Sequence, residues 1–233
     1  EFYCAGDFQY EGGNSWGCPD EILFKYVEKY IAEEKDERTF HIILTTSNHP
    51  PYNIDVASKG FPKEEIKQKL PDSLGSDEET LNEMGHIWYV DQSMGNFIEK
   101  VEADKPDTLF VITGDHAERF DFAQEVDLKT LSAVPCIFYG KNVDKDLLAD
   151  NKVGCHLQII STLAEMAGKK GDTYSSIWPS LFEYNGIVFN HRLWTDTEKI
   201  YKINSEIPNT LANKIKAARQ LTAWRVLRGN DIQ

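Results

Sequence analysis

Two polar clusters follow apolar runs of the chain and contain residue types that bind metal ions and esters. Asp115 and His116 follow the apolar run of residues 108–113, and His49 follows the run of residues 39–46. A carboxylate oxygen and an imidazole nitrogen are both ligands of divalent cations. A histidine beside such an ion can donate a hydrogen bond to a phosphoryl oxygen. The residue types leave a second interpretation open, in which Asp115 caps the turn and His116 is a surface histidine.

Three further basic or histidine side chains have residue types that suit a site: Arg119, His191 and His86. Arg119, close after His116, is either a substrate-binding residue or a solvated arginine. His191 lies beside Arg192, and its type leaves ligand recognition and a structural role equally open. His86 falls within a long helical pattern, where we expect it to face solvent.

The spacing of apolar residues predicts the elements that must position these side chains. Helical periodicity predicts a helix that begins at Asp20, a short helix near residues 62–70, and helices over residues 77–103, 157–167 and 209–228. Short runs rich in β-branched and aromatic residues predict buried strands at residues 39–46, 108–113 and 134–139. Residues 187–189 and 199–203 predict an antiparallel hairpin.

This order of elements predicts an α/β fold. Connections of this length favour a parallel-rich sheet with helices on both faces. Ligands bind beyond the carboxyl ends of the strands in such sheets, where both polar clusters would then lie. The later strands predict a small C-terminal subdomain with antiparallel strands. We expect residues 1–170 to belong to one catalytic domain and residues 171–233 to form this subdomain.

Composition excludes several classes of function. The 233 residues include 25 Lys and Arg against 38 Asp and Glu, so the net charge is 25 − 38 = −13. Such a charge argues against an electrostatic grip on nucleic acid or anionic lipid. No apolar run is long enough to span a membrane. Four cysteines are too few for a disulfide scaffold, and the sequence leaves open whether Cys4 and Cys18 pair.

Five segments, in order, resemble motifs of the sulfatase and alkaline phosphatase superfamily, and several resemble those of its lipoteichoic acid synthase-like proteins. They are residues 45–52 (T-x-S/T-N-H-x-P-Y/F), 89–97 (Y-x-D-x-x-I-G-x-F), 108–116 (T-x-x-x-x-x-G/S-D-H), 134–140 (V-P-x-I-x-Y-G) and 159–168, which resembles a helix that ends in L-A-G. The resemblance covers residues 15–170. It implies an alkaline phosphatase-like fold and chemistry at a phosphate or sulfate ester.

The resemblance also implies roles for individual residues. Asp115 and His116 match metal ligands of the family, and His49 matches a histidine that contacts the transferred head group. Asn48 and Arg119 are expected to bind substrate beside it. The implied cofactor is a divalent metal ion, with Mn²⁺ expected first and Zn²⁺, Ca²⁺ or Mg²⁺ as alternatives.

The family's nucleophile is a Thr or a formylglycine that precedes these motifs. No segment before residue 39 resembles it, so we expect it upstream of this chain, in the remainder of a parent catalytic domain, and we expect the isolated chain to be inactive. The expected function is phosphoglycerol-type transfer, with a sulfuric ester or phosphodiester hydrolase as the alternative. A third hypothesis is a non-catalytic interaction domain.

The resemblance finally implies partners and a location. The expected substrate is a phosphate or sulfate ester, lipid-linked esters included, and nucleic acid is not expected. The expected location is an extracytoplasmic, soluble domain of a membrane-anchored bacterial protein.

Overall fold

A computed structural model describes most of the chain. The residues described are 2–13, 16–35, 38–117, 122, 127–144, 146, 153–168, 173–183, 186–190, 192–196, 199–203 and 207–229. The chain forms two compact units: a first unit of residues 1–126 and 131–143, and a second unit of residues 127–130 and 144–233. The two units are defined by compactness and not by function. The predicted boundary between a catalytic domain (residues 1–170) and a C-terminal subdomain (residues 171–233) therefore stays a prediction.

Besides a short 3-10 helix at Ala5–Phe8, the described residues of the first unit form four α-helices. They are α1 (Asp20–Glu33), α2 (Lys63–Lys69), α3 (Asp72–Gly75) and α4 (Glu78–Asp104). The bounds of α1 and α4 confirm the helices predicted from periodicity. Helix α4 begins where it does because the carboxylate of Asp77 accepts hydrogen bonds from the backbone amides of Glu79 and Thr80.

Helices α1 and α4 pack against each other through aromatic side chains. The rings of Phe24 and Phe97 stack with centroids 4.7 Å apart and an interplanar angle of 18°. Val101 is buried beside them, and Ile43 and Phe110 pack against the same cluster. This cluster therefore joins the two helices to the segments that precede both polar clusters.

The described residues of the first unit form one strand pair, and its direction differs from the prediction. Strands β1 (Phe110–Thr113) and β2 (Cys136–Tyr139) confirm two predicted strands but pair antiparallel, with Phe110 opposite Tyr139. All strand pairs among the described residues are antiparallel, so the parallel-rich sheet is not seen there. A parallel pair needs a long crossover, usually a helix, and none of the described residues between β1 and β2 is helical.

The predicted buried strand at residues 39–46 is wrong in two respects. The segment has no strand pairing, and Phe40, Ile42 and Leu44 are largely exposed. The alternating residues His41 and Ile43 are half-buried. An extended segment sends successive side chains to opposite sides, and only one side here packs on the helical core.

The second unit consists of helices and a small antiparallel sheet. Its helices are α5 (Ile159–Ala167) and α6 (Asn209–Arg228), and its strands are β3 (Val188–Phe189), β4 (Leu193–Thr195) and β5 (Ile200–Lys202). Sheet order is β3-β4-β5. The predicted hairpin of residues 187–189 with 199–203 is wrong about the partner, because β4 lies between these two strands. The core of the unit is aromatic and aliphatic: Trp178, Phe189, Trp194, Leu211, Ile215 and Ala218.

Two findings concern membrane-spanning helices and thiols. Within them, no helix has both the length and the apolar character needed to cross a membrane. Cys4 and Cys18 are free thiols, the first exposed and the second buried.

We predict that Phe97→Ala lowers the free energy of unfolding by about 3–5 kcal/mol, because it removes a stacked ring from the α1–α4 core. Ile87→Ala, on the exposed part of the same helix, should cost less than about 1 kcal/mol. Urea denaturation of both variants measures the difference. Equal losses in the two variants would contradict this assignment of the core.

Candidate functional site

A buried carboxylate at the start of α1 holds the loop that carries His49. Asp20 has 0% exposed surface. Its Oδ1 accepts hydrogen bonds from the backbone amides of Thr46 and Ser47, both at 3.0 Å. In return, Ser47 Oγ accepts a hydrogen bond from the Asp20 amide at 2.9 Å. Three hydrogen bonds thus join the first residue of α1 to the end of the extended segment.

The environment of Asp20 changes its acidity. Burial, which disfavours the charged form, raises the pKa of its carboxyl above the usual range, although the hydrogen bonds from Thr46 and Ser47 act in the opposite direction. Its second oxygen, Oδ2, is buried and has no hydrogen-bond partner in the described structure. Burying a polar atom without a hydrogen-bond partner is energetically costly.

His49 has a defined ring orientation. Its backbone amide donates to the carbonyl of Thr46 at 3.1 Å, and its Nδ1 lies 2.7 Å from the carbonyl of Pro50. The indole of Trp16 covers the imidazole, with ring centroids 4.0 Å apart. Because a carbonyl oxygen only accepts, Nδ1 carries a proton, and the neutral ring leaves Nε2 as an acceptor.

A polar pocket lies beside this ring. It is lined by backbone and side-chain atoms of two loops, among them Gly13, Gly17, Thr46, His49 and Tyr52. Gly17 has a φ of +150°, and a Cβ there would lie 3.2 Å from Thr46 Oγ1. Glycine at this position therefore permits the two loops to approach each other.

Asn48, the residue before His49, is also a candidate. Its Oδ1 is buried and has no hydrogen-bond partner in the described structure. Asn48 therefore has an unused acceptor next to the pocket residues Ser47 and His49.

The second polar cluster lies just after β1. Asp115 Oδ2 and His116 Nε2 are 3.6 Å apart, and both side chains are accessible to solvent. This separation is too long for a hydrogen bond. Two ligands of one tetrahedral ion at bond lengths of about 2.0–2.1 Å would lie about 3.3 Å apart. Asp115 Oδ1 accepts a hydrogen bond from the His116 amide at 2.9 Å, so the carboxylate also caps its own turn.

Comparison with known proteins identifies the family. The family model named Sulfatase matches residues 1–169, which include both polar clusters. The chain belongs to the sulfatase family. No curated protein and no solved structure gave a match to the chain. Membership supports an enzyme of the sulfatase superfamily that acts on esters.

Sulfatase-family members generally use divalent metals, and Asp115 and His116 suit such an ion in donor type and separation. They would supply two ligands, whereas catalytic zinc sites usually have three from the protein. The described residues contain no group of three or more histidine, cysteine or acidic side chains that could hold a metal. The ligand roles of Asp115 and His116 therefore stay predictions.

Of the predicted site residues in this sulfatase-family chain, some line the pocket, some do not, and some lie outside the described residues. His49 lines the pocket, whereas Asp115 and His116 are not among its lining residues, so their convergence on one cleft stays a prediction. Arg119 and His191 lie outside the described residues.

His86 is the histidine that sequence reasoning placed wrongly. It is 1% exposed and does not face solvent. Its Nε2 accepts a hydrogen bond from the Ile54 amide at 3.1 Å, and its Nδ1 donates to the carbonyl of Asn82 at 2.9 Å. Asn82 Nδ2 donates to the carbonyl of Tyr52 at 2.9 Å. His86 therefore supports the pocket loop through its hydrogen bond to Ile54, and Asn82 supports it at Tyr52. Helical periodicity does not report this contact with a loop residue 32 positions away, so no signal in the sequence indicated the burial of His86.

We predict that His86 makes the stability of the protein depend on pH. Burial lowers the pKa of its imidazole, and the hydrogen bond to Asn82 only partly offsets this. As pH falls below the ordinary value of about 6.5, the unfolded chain binds the proton first, so stability decreases. The contribution of this one group should reach at most about 1.4 kcal/mol per pH unit.

Thermal unfolding of wild type and His86→Gln from about pH 7.5 to about pH 5 measures this effect. Glutamine does not titrate, so the difference between the two curves isolates His86. Parallel curves would exclude the imidazole as the titrating group.

Proposed function

We propose that this chain contributes to a metal-dependent extracytoplasmic transferase that acts on phosphate esters, with phosphoglycerol transfer as its reaction. The observation that carries the proposal is the loop of residues 45–52, in which His49 has a fixed ring orientation beside a polar pocket. The same loop resembles the lipoteichoic acid synthase-like branch. Family membership supports ester chemistry in general.

His49 would recognise the head group of the ester. With Nδ1 held by Pro50, the neutral ring accepts a hydrogen bond at Nε2 from a hydroxyl of that group. The protonated ring instead donates from Nε2 to a phosphoryl oxygen. The indole of Trp16 excludes water from one face of the ring. The amide of Asn48 and, beyond the described residues, Arg119 would bind the same substrate.

Asp115 and His116 would hold the divalent metal through Oδ2 and Nε2. When bound, such an ion polarises the ester and stabilises the attacking oxygen. Mn²⁺ is the ion we expect. The solvent exposure of both side chains leaves their lone pairs accessible to an ion.

A second candidate function is hydrolysis of a sulfuric ester or a phosphodiester. The name of the matching family favours it. The two functions differ in the acceptor, which is a sugar or lipid hydroxyl in a transferase and water in a hydrolase. Product analysis with a phosphodiester and a sulfate ester, with and without an alcohol acceptor, distinguishes them.

We predict that His49→Ala in the full-length protein reduces kcat on a phosphodiester by about 10²–10³-fold, because it removes a hydrogen-bonding group that contacts the reacting ester. The thermal midpoint should change little. His41→Ala, a histidine bonded locally to Thr39, serves as the matched control and should retain activity. Full activity of the His49 variant would remove this residue from the site.

We further predict that Asp115→Asn and His116→Gln each raise the Mn²⁺ concentration for half-maximal activity by at least about 10-fold. Calorimetric titration of Mn²⁺ should show the same weakening. Asp127→Asn, which alters a carboxylate that caps a different turn at Thr130, provides the control. Unchanged metal affinity in both variants would leave the pair with only its local capping role.

A further inference from the structure

We propose that Asp20 is the positioning residue for His49: its carboxylate fixes the turn of residues 46–49 and thereby the imidazole orientation that the ester chemistry uses. This inference rests on the proposed function, since it takes His49 as a substrate-binding residue. Asp20 itself is not among the residues that line the pocket.

Two hydrogen bonds separate the carboxylate from the backbone of His49. Asp20 Oδ1 accepts from the Thr46 amide at 3.0 Å, and the Thr46 carbonyl accepts from the His49 amide at 3.1 Å. Both the amide and the carbonyl of Thr46 are therefore hydrogen-bonded. A shift of Thr46 would move the amide of His49 directly.

Thr46 also ties the loop that carries Trp16 to the same point. Its Oγ1 donates a hydrogen bond to the carbonyl of Cys18 at 3.3 Å, two residues after Trp16. The indole of Trp16 lies against the imidazole of His49. Asp20 therefore influences His49 by two routes, through the turn and through the ring that covers it.

The burial of Asp20 strengthens its hydrogen bonds to the turn of residues 46–49. Asp20 has 0% and Ser47 7% exposed surface, so water does not compete for their hydrogen bonds. If the carboxylate were removed, the amides of Thr46 and Ser47 would lose their buried acceptor. The turn would then have to rearrange to satisfy them.

Asparagine provides a conservative replacement. It keeps an oxygen that can accept from Thr46 and Ser47. The other carboxylate oxygen, Oδ2, has no partner in the described structure, so an amide nitrogen in its place removes no hydrogen bond. A positioning role therefore predicts that Asp20→Asn retains function and that Asp20→Ala does not.

The experiment compares Asp20→Ala and Asp20→Asn with Asp77→Ala in the full-length protein. Asp77 is a matched control because its carboxylate also accepts two backbone amides at a helix start, those of Glu79 and Thr80. One readout is the ¹⁵N NMR signals of the His49 ring, which report the tautomer without any substrate. The other is kcat and KM on a phosphodiester with Mn²⁺.

We expect Asp20→Ala to reduce the share of the Nδ1-protonated tautomer and to lower kcat by at least about 10-fold, with a smaller effect on KM. Asp20→Asn should stay within about 3-fold of wild type in kcat and keep the wild-type tautomer signals. Asp77→Ala should lower the thermal midpoint and change neither readout. If Asp20→Ala does not fold, Asp20→Ser replaces it, since serine suits a helix start but has a shorter reach.

Wild-type tautomer signals and kcat in the folded Asp20→Ala or Asp20→Ser variant would overturn the proposal. A similar loss of kcat in Asp77→Ala would also overturn it, because general destabilisation would then explain the effect. If the tautomer changes but His49→Ala leaves turnover intact, the link from Asp20 to His49 stands and the proposed role of His49 in catalysis is overturned.

Discussion

The arrangement of the candidate site depends on one buried carboxylate. Asp20 accepts hydrogen bonds from the backbone amides of Thr46 and Ser47. A buried amide without an acceptor costs about 1–3 kcal/mol, so this interaction strongly favours one position of the segment that leads to His49. The dependence is mutual, because Pro19 offers no side-chain cap to α1. Ser47 Oγ and the hydroxyl of Tyr89 accept the first two amides of the helix instead.

Burial in this arrangement disfavours the charged forms of two side chains. Burial raises the pKa of Asp20, and burial also raises the pKa of Tyr89 to about 12. The hydroxyl of Tyr89 accepts a hydrogen bond from the Glu21 amide at 3.3 Å. Perturbed groups beside a polar pocket are characteristic of functional sites, although structural networks produce them too. Asp20 lies next to the loop of His49, so the same carboxylate can serve both the structure of the loop and the proposed site.

The candidate site residues of the first unit lie in two places. The loop of His49 lines a small polar pocket, and the Asp115–His116 pair presents a carboxylate oxygen and an imidazole nitrogen 3.6 Å apart. Sulfatase-family membership links both to ester chemistry. In the described residues the pocket and the pair are separate features, so their cooperation on one substrate is part of the proposal.

Local periodicity in the sequence was sufficient for the longer helices, whereas the one-turn helix α3 was not predicted. Helices α1, α4, α5 and α6 were predicted because a helix shows its apolar face every three to four residues, whatever it packs against. The motifs were sufficient for the family, since they carry residue types in a fixed order. The sequence also indicated β1 and β2, but their antiparallel pairing depends on the connection between them.

Tertiary structure alone decided the interactions that build the site. The amides of Asp20 and Glu21 find their acceptors 27 and 68 residues away, in Ser47 and Tyr89. The burial of His86 and the exposure of one side of residues 39–46 were likewise beyond the local pattern. Periodicity reports which side of an element is apolar. Which surface covers that side, and which distant atom satisfies each buried polar group, is determined only when the elements pack together.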